Sequence, residues 1–515
     1  MKPLTTSVYT FSNLIEGGYL YVDKTAGIHS LIKEASGQYV LSRPRRFGKS
    51  LLVSTLKAIF QGRRELFDGL ALAKTDYNWR TYPVIHLDLG TAAAQTPEEL
   101  EERLCYTVDS SAKTLDVPVT RKRAAGRFQE LIDNLADRHG KVVILVDEYD
   151  KPLLGHLGNP AVAEFQRILK EFYSVIKTTE AQQRFALLTG VSKFSKVSVF
   201  SDLNNLTDLT MSRHAATLLG YTQDELEHNF PDYIEALAGS IGKTVEATLA
   251  DLRGWYNGYR FEEKAETVYN PVSVMKCFQE LKFKNYWFET GTPTFLIELL
   301  RRKPVDLGKL TAAETDFSTY EPNHLEPLPL LVQTGYLTIE RAEDFGGTTL
   351  FRLGYPNREI EQSFSRWLAQ DFSRIPTSDL TSALQRIVRA LNEARVDDML
   401  ETLKVFFAAV PNTITLADEK YYQTIFFTVF KLIGAVVDAE ISTNIGRIDA
   451  VVKTRNGIFL FEFKLRDTAA AALRQIREKR YFERFLDDGR PITLIGAAFA
   501  EKERNITDWL IEPAV

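Results

Sequence analysis

The run Lys141-Val142-Val143-Ile144-Leu145-Val146-Asp147-Glu148-Tyr149-Asp150 most narrows what this chain can fold into. Apolar, mostly β-branched residues in succession leave no polar face for water, which marks a strand covered on both sides in a parallel α/β sheet. The acids that close the run fall at the carboxyl end of the strand, where open α/β sheets bind ligands. Residues 83–89 and 184–190 read as further strands with helical stretches between them. A wound parallel sheet is therefore expected.

Near the start of the chain, Gln38-Tyr39-Val40-Leu41 reads as a short buried strand running into Ser42-Arg43-Pro44-Arg45-Arg46-Phe47-Gly48-Lys49-Ser50 and then a helix through Phe60. Strand, loop and helix in that order are the setting of a phosphate-binding loop. Its backbone N–H groups and the helix N-terminus would cradle the phosphates of ATP, with Gly48 in the loop, Lys49 reaching the β/γ-phosphates and Ser50 holding Mg²⁺. The first glycine of the usual G-x-x-x-x-G-K-[ST] pattern is Arg43 here. A side chain is penalised at positive φ, so the loop is expected to open differently, while Arg43, Arg45 and Arg46 add positive charge near the anion.

Beside such a loop, the 141–150 run reads as a Walker B strand: Asp147 would bind Mg²⁺ and Glu148 would polarise the water attacking the γ-phosphate. Thr189 and Ser192, in Thr189-Gly190-Val191-Ser192, stand where a sensor contacts that phosphate; capping of the next helix is the alternative. Asp23 and Lys24 are nucleotide contacts or an ordinary helix entry. Arg260, in Trp255-Tyr256-Asn257-Gly258-Tyr259-Arg260-Phe261, is an arginine finger or part of a loop packed on the nucleotide domain.

A second constellation lies near the other end. Gly446-Arg447-Ile448-Asp449-Ala450-Val451-Val452 is followed by Ile458-Phe459-Leu460-Phe461-Glu462-Phe463-Lys464. Strand alternation puts Phe459, Phe461 and Phe463 on one face and Glu462 with Lys464 on the other. Asp449 and Glu462 offer hard oxygen ligands for Mg²⁺ or Mn²⁺, and Lys464 suits orientation of an attacking water or stabilisation of charge on phosphate. A surface ion pair is the alternative for an isolated E-x-K. The flanks are a helical stretch at 416–433 with Glu419, one at 468–486 with Gln475 and Tyr481, and an apolar strand at 492–498.

This order resembles the core of the PD-(D/E)XK nuclease superfamily over residues 416–509. The resemblance implies Asp449 and Glu462 as metal-binding acids, Lys464 as the catalytic lysine, Glu419 as the acid of the first helix, and Gln475 and Tyr481 as the auxiliary pair. Glu440 is a competing extra ligand or a polar strand end.

Tyr21-Val22-Asp23-Lys24-Thr25, the 43–50 loop, Val146-Asp147-Glu148-Tyr149-Asp150, Leu188-Thr189-Gly190-Val191-Ser192-Lys193-Phe194-Ser195 and Trp255-Tyr256-Asn257-Gly258-Tyr259 together resemble the prokaryotic AAA-ATPase-like proteins. In that family the arginine in place of the first glycine is itself the pattern, and a PD-(D/E)XK module commonly follows. The resemblance implies a P-loop domain, taken as 1–285, joined to a nuclease-like α/β domain, taken as 401–515; between them, at 286–400, a helical stretch at 286–302 and short strands at 328–339 and 348–353 around Asp344-Phe345-Gly346-Gly347 read as a winged-helix-like module or a lid without nucleic-acid contact.

The chain's 515 residues suit two or three domains. Its net charge of −5 makes it no general polyanion binder, so DNA contact requires a local basic surface. Arg121-Lys122-Arg123 with Arg127, and Arg474, Arg477, Lys479, Arg480 and Arg484, are such surfaces or solvated helix faces. Cys105 and Cys277 lack metal-ligand spacing, and the N-terminus lacks a secretory core, so a cytoplasmic protein outside the membrane is expected. An ATP-controlled, metal-dependent nuclease acting on DNA is the leading reading, with oligomerisation open. A nucleotide-dependent switch or scaffold that binds nucleic acid or a partner without cutting is the alternative.

Overall fold

The structure is a computed structural model that describes residues 1–34, 36–156, 161–192, 205–287, 296, 299–300, 303, 305, 310–317, 326–373, 376–408, 441–444, 448–454, 456–464, 467–500 and 505–514. Of residues 371–373, 377, 441–444 and 448–449 it describes the backbone alone. The chain divides into two compact units, Met1–Leu296 with Thr311–Glu359 and Ile297–Leu310 with Ile360–Val515. Among the described residues no helix is long and apolar enough to cross a membrane.

In the first unit, β1 (Gln38–Ser42), β2 (Val84–Asp88), β3 (Val142–Asp147), β4 (Gln183–Gly190) and β5 (Thr207–Asp208) form a parallel sheet in the order β2-β3-β4-β1-β5. Every residue of β3 is buried, as an unbroken apolar run on a doubly covered strand requires. Helix α1 (Lys49–Phe60) packs on β2, β3 and β4. Helices α2 (Pro97–Thr114), α3 (Ala124–His139) and α4 (Val162–Thr178) pack on one another, with Phe128 stacked on Phe172 at 5.0 Å between ring centroids. The register pairs Ser42 with Gly190 and Asp88 with Asp147, so the strands finish level at one edge. The candidate residues of both motifs gather there.

The same unit carries a small antiparallel sheet, β6 (Thr311–Ala313), β7 (Thr338–Phe345) and β8 (Thr348–Gly354), in the order β6-β8-β7. Sequence patterning predicts a strand over 328–339. The structure instead places helix α5 at Pro327–Thr334 and starts β7 at Thr338. Pro327 and Pro329 lack the N–H that a strand ladder needs but are tolerated in a first helical turn, and Gly335, at φ 88°, caps the helix end. The result is a short helix followed by an antiparallel hairpin.

In the second unit, helices α6 (Thr377–Asn392) and α7 (Val396–Ala408) pack together. Strands β9 (Ile441–Asn444), β10 (Ile448–Lys453), β11 (Ile458–Lys464), β12 (Ile492–Ala500) and β13 (Asn505–Pro513) form a sheet in the order β13-β12-β11-β10-β9. Only β11 and β12 are parallel neighbours, and helix α8 (Ala469–Glu478) lies in the crossover that such a pair demands. The hydroxyl of Thr468 caps α8 by accepting the Ala471 N–H at 3.2 Å.

Two features of this unit differ from the sequence reading. The helix expected over 468–486 stops at Glu478, where Arg480 turns left-handed at φ 54° and a 3₁₀ turn follows at Glu483–Asp488. Strand β13 has no counterpart in the expected order. The expected helix at 416–433 and the strand position of Glu440 lie outside the described residues.

Leu460 and Ile458 of β11 pack against Leu473 and Ile476 of α8, with Leu494 of β12 beside them. Helix and sheet approach closely because β12 carries Gly496. A Cβ at Gly496 would stand 2.4 Å from the Ala469 carbonyl oxygen and 2.7 Å from the Leu473 nitrogen, both backbone atoms. Gly496→Ala is therefore expected to destabilise the second unit by about 1–3 kcal/mol, read as a lowered urea midpoint for its unfolding transition. An unchanged midpoint would show that α8 can withdraw without cost.

Candidate functional site

The loop after β1 turns through two left-handed residues, Arg46 at φ 66° and Gly48 at φ 93°. Glycine takes that conformation freely, whereas Arg46 costs about 1–2 kcal/mol there. Arg43 is not among the positive-φ residues, so the strain expected at the missing first glycine does not arise. Helix α1 begins at Lys49 with no acidic residue in its first turn to compete for an anion at its positive end.

Lys49 is buried, and its Nζ donates to the carbonyl oxygens of Arg43 and Pro44, each at 2.9 Å. Burial pushes its pKa down, and Asp147, Asp150 and Glu148 pull it back up. Arg45, Arg46, Gly48, Lys49 and Ser50 line a cavity of about 450 Å³. Arg43 does not join them: its guanidinium turns inward and donates to the carbonyls of Ser42 (2.9 Å), Thr210 (2.7 Å) and Ala215 (2.7 Å). The extra charge expected beside the anion thus comes from Arg45 and Arg46 alone.

At the end of β3, the Asp147 carboxylate accepts from the Thr189 hydroxyl at 2.5 Å and from the Glu148 N–H at 3.0 Å. Glu148 is left-handed at φ 53°, lines the cavity together with Ser50, and lies 3.6 Å from Lys151. Asp150 is buried and accepts from the Val191 N–H, the Ser192 N–H and the Ser192 hydroxyl, the last two at 2.7 Å. Burial raises the Asp150 pKa, and the Ser192 donors act against that rise. Of the two sensor candidates, Thr189 therefore touches the carboxylate at the strand end, while Ser192 is committed to Asp150.

The cavity walls also include the apolar side chains of Leu20, Val22, Leu218, Leu219, Tyr221 and Met275. Asp23 is a helix entry: its carboxylate accepts from the Thr25 N–H and hydroxyl and the Ala71 N–H. Lys24 pairs with Glu225 at 2.6 Å, its pKa lowered by burial against the pull of that glutamate. On the other side of Ser50 and Glu148 a second cavity of about 700 Å³ holds Lys57, His86, Asp88 and Lys151.

The loop is backed by Trp287, which the sequence did not single out, and by the 255–261 loop, which it did. Trp287 Nε1 donates to the Arg45 carbonyl at 3.2 Å, and Phe47 meets Tyr259 and Phe261 edge-on at 4.8 and 5.4 Å. The 255–261 loop carried an aromatic signal for such packing. Thr210 and Ala215 carried none, because they act through carbonyls that every residue owns. Arg260 does not line that first cavity: its N–H donates to the Thr338 hydroxyl and its guanidinium to the Glu340 carbonyl, both at 2.8 Å.

In the second unit Glu462 is 3% exposed. Lys464 Nζ lies 3.3 Å from its Oε1 and donates to Gln475 Oε1 at 2.6 Å, while Gln475 Nε2 donates to the same Glu462 oxygen. Alternation along β11 aims Glu462 and Lys464 at α8, which supplies Gln475. The antiparallel register ends with Ala450 opposite Phe461, leaving Asp449 and Glu462 as the next positions on their strands.

The Asp449 side chain and all of Glu419 and Glu440 lie outside the described residues. Tyr481 is not brought to the triangle; it packs on the apolar cluster of Leu460 and Ile476. Among the described residues no group of three histidine, cysteine or acidic side chains is placed to hold a metal. Arg474, Arg477, Lys479, Arg480 and Arg484 are exposed, although Arg477 bridges to Glu512 at 2.8 Å and Arg484 lies over the Phe485 ring.

Comparison with known proteins accords with this division. Residues 5–200 match the family described as predicted AAA-ATPase, and residues 417–509 match the PD-(D/E)XK nuclease superfamily. The "uncharacterized protein in vnfD 5′ region" of Azotobacter chroococcum mcd 1 is 36% identical over 526 residues, covering 99% of each chain.

Among solved structures, the Aeropyrum pernix ORC1 protein in complex with DNA aligns at 13% identity and a TM-score of 0.24, over 66% of this chain and 92% of that one. The Aeropyrum pernix ORC2 protein, in ADPNP–ADP complexes, aligns at 14% and 0.27, over 70% and 94%. The full-length likeness places the chain in the family of the Azotobacter protein, with a predicted AAA-ATPase region at residues 5–200 and a PD-(D/E)XK nuclease superfamily region at residues 417–509.

Proposed function

We propose that the first unit binds and hydrolyses ATP and that this controls a Mg²⁺-dependent nuclease in the second unit, which cleaves DNA phosphodiester bonds. The observation that carries the reading is the meeting of Lys49, Ser50, Asp147 and Glu148 at one edge of the first sheet, beside a cavity whose walls include apolar side chains. The donors fit a hard cation: a hydroxyl at the start of α1 and a carboxylate at the end of β3 for the nucleotide site, and Glu462 with Asp449 on adjacent strands for the nuclease site. When bound, Mg²⁺ neutralises charge on phosphate oxygens and lowers the pKa of water.

The chain's own residues do the remaining work. The N–H groups at the start of α1 and the Lys49 ammonium take the β- and γ-phosphate oxygens. Thr189 holds Asp147 in one orientation, and left-handed Glu148 turns its carboxylate into the space shared by the two cavities, where it orients the attacking water. In the second unit Gln475 holds Glu462 and Lys464 together, and Lys464 keeps positive charge beside the scissile phosphate.

Glu148→Gln should retain ATP binding while phosphate release falls by about 10²-fold or more. Parallel calorimetry and phosphate-release assays check this, and unchanged release would remove Glu148 from the mechanism. Purified protein should cleave at least one of linear, circular, branched or single-stranded DNA with Mg²⁺ or Mn²⁺, with a rate that changes on adding ATP. Lys464→Ala should abolish cleavage by about 10²-fold or more and leave ATP binding intact. ATP binding without cleavage under any of these conditions would instead identify a nucleotide-dependent switch or scaffold.

A further inference from the structure

Arg43 is 1% exposed, a rare state for an arginine, whose charge is costly to bury unless its N–H groups are satisfied. One terminal nitrogen donates to Ser42 and Thr210, and the other to Ala215. The guanidinium lies 4.0 Å from the centre of the Phe261 ring, in cation–π contact. Its partners are thus carbonyl dipoles and an aromatic face. Burial pushes its pKa down to about 9, with the field of Asp208 opposing.

These contacts tie the entry of the phosphate loop to two distant stretches of the same unit. The Ser42 N–H also donates to the Thr210 hydroxyl at 3.1 Å, so Thr210 is held through both its carbonyl and its side chain. The consequence falls on Lys49. Its ammonium is held by the carbonyls of Arg43 and Pro44, and those oxygens are fixed in space only as far as the Arg43 backbone is fixed. A glycine at position 43 would leave the loop entry without this anchor.

We propose that Arg43 is a positioning residue, an internal guanidinium strut that shapes the phosphate loop and sets the Lys49 ammonium for the β- and γ-phosphates without touching the nucleotide. It rests on the ATP-binding reading above. A lysine at this position keeps the charge but cannot span three carbonyls on two sides, because it lacks the planar fork. Arg43→Lys should therefore mimic partial loss of Lys49 rather than loss of charge.

The test is a double-mutant cycle on the full chain, with the Mg²⁺ complex of β,γ-imido-ATP as the probe. Arg43→Lys is expected to weaken binding about tenfold or more in the wild-type background and less than about twofold in Lys49→Ala, because the strut acts through that lysine. Equal losses in both backgrounds, or no loss in the first, overturn the proposal.

A second readout needs no nucleotide: amide hydrogen exchange across residues 43–50 should accelerate in Arg43→Lys while exchange in β3 stays unchanged, and unaltered loop exchange overturns the strut. Failure of the wild-type chain to bind the analogue would remove the ATP reading and leave the exchange result to decide the strut. Should Arg43→Lys fail to fold, Phe261→Leu removes the aromatic face over Arg43 together with its edge contact to Phe47, so Phe47→Leu is its control, and a loss beyond that control is judged by the same cycle and exchange criteria.

Discussion

A strand inserted between two others governs the first unit. Because β4 separates β1 from β3, the loop after β1 and Asp147 do not meet side by side but across the end of β4. That end supplies Thr189, paired in register with Leu41 of β1 and bonded through its hydroxyl to Asp147 of β3. The residue that touches the strand-end carboxylate is thereby the one on the strand between the two motifs. The same arrangement explains why Asp150 and Ser192 bind each other: both lie just past their strands, and the buried Asp150 carboxylate takes the Val191 and Ser192 N–H groups as donors.

Buried charge sets the energetic terms of this edge. Lys49, Arg43, Asp147 and Asp150 are each at most 7% exposed, and an unsatisfied ion in such a place costs several kcal/mol. Each is bonded locally: Lys49 and the terminal nitrogens of Arg43 by carbonyls, Asp147 and Asp150 by hydroxyl and N–H donors, while Arg43 Nε faces no acceptor. Opposite charges also lie near enough for Asp147, Asp150 and Glu148 to raise the pKa of Lys49 against its burial. An edge assembled this way holds its charged groups in fixed positions without help from a ligand.

The fold class was legible wherever sequence pattern reports burial. The unbroken apolar run of β3, the strand–loop–helix of β1 and α1, and the phenylalanine alternation that turns Glu462 and Lys464 toward α8 are all patterns of side chains. What escaped was carried by the backbone. The Thr210 and Ala215 carbonyls that receive Arg43 leave no trace in residue identity, so its guanidinium was expected at the anion. Helix α5 was read as strand because its leucines suit either state, and the decisive information lay in the N–H groups missing from Pro327 and Pro329. Helix α8 ended early through the conformation of Arg480, a residue type that gives no stop signal.

The second unit poses its own energetic question. Glu462 is almost wholly buried with a lysine 3.3 Å away, and a buried ion pair is a poor source of stability because desolvation offsets the attraction. A surface ion pair, the plain reading of an isolated E-x-K, would leave its carboxylate in water, and Glu462 is not there. The surroundings are specialised in a second way: Gln475 serves both members at once, donating to the glutamate and accepting from the lysine. That amide lies on α8, whose close approach to the sheet depends on Gly496, the β12 residue registered against Glu462 itself. The glycine that admits the helix and the glutamate that the helix grips are thus neighbours across one strand pair, so the packing of this unit and the geometry of its polar triangle stand or fall together.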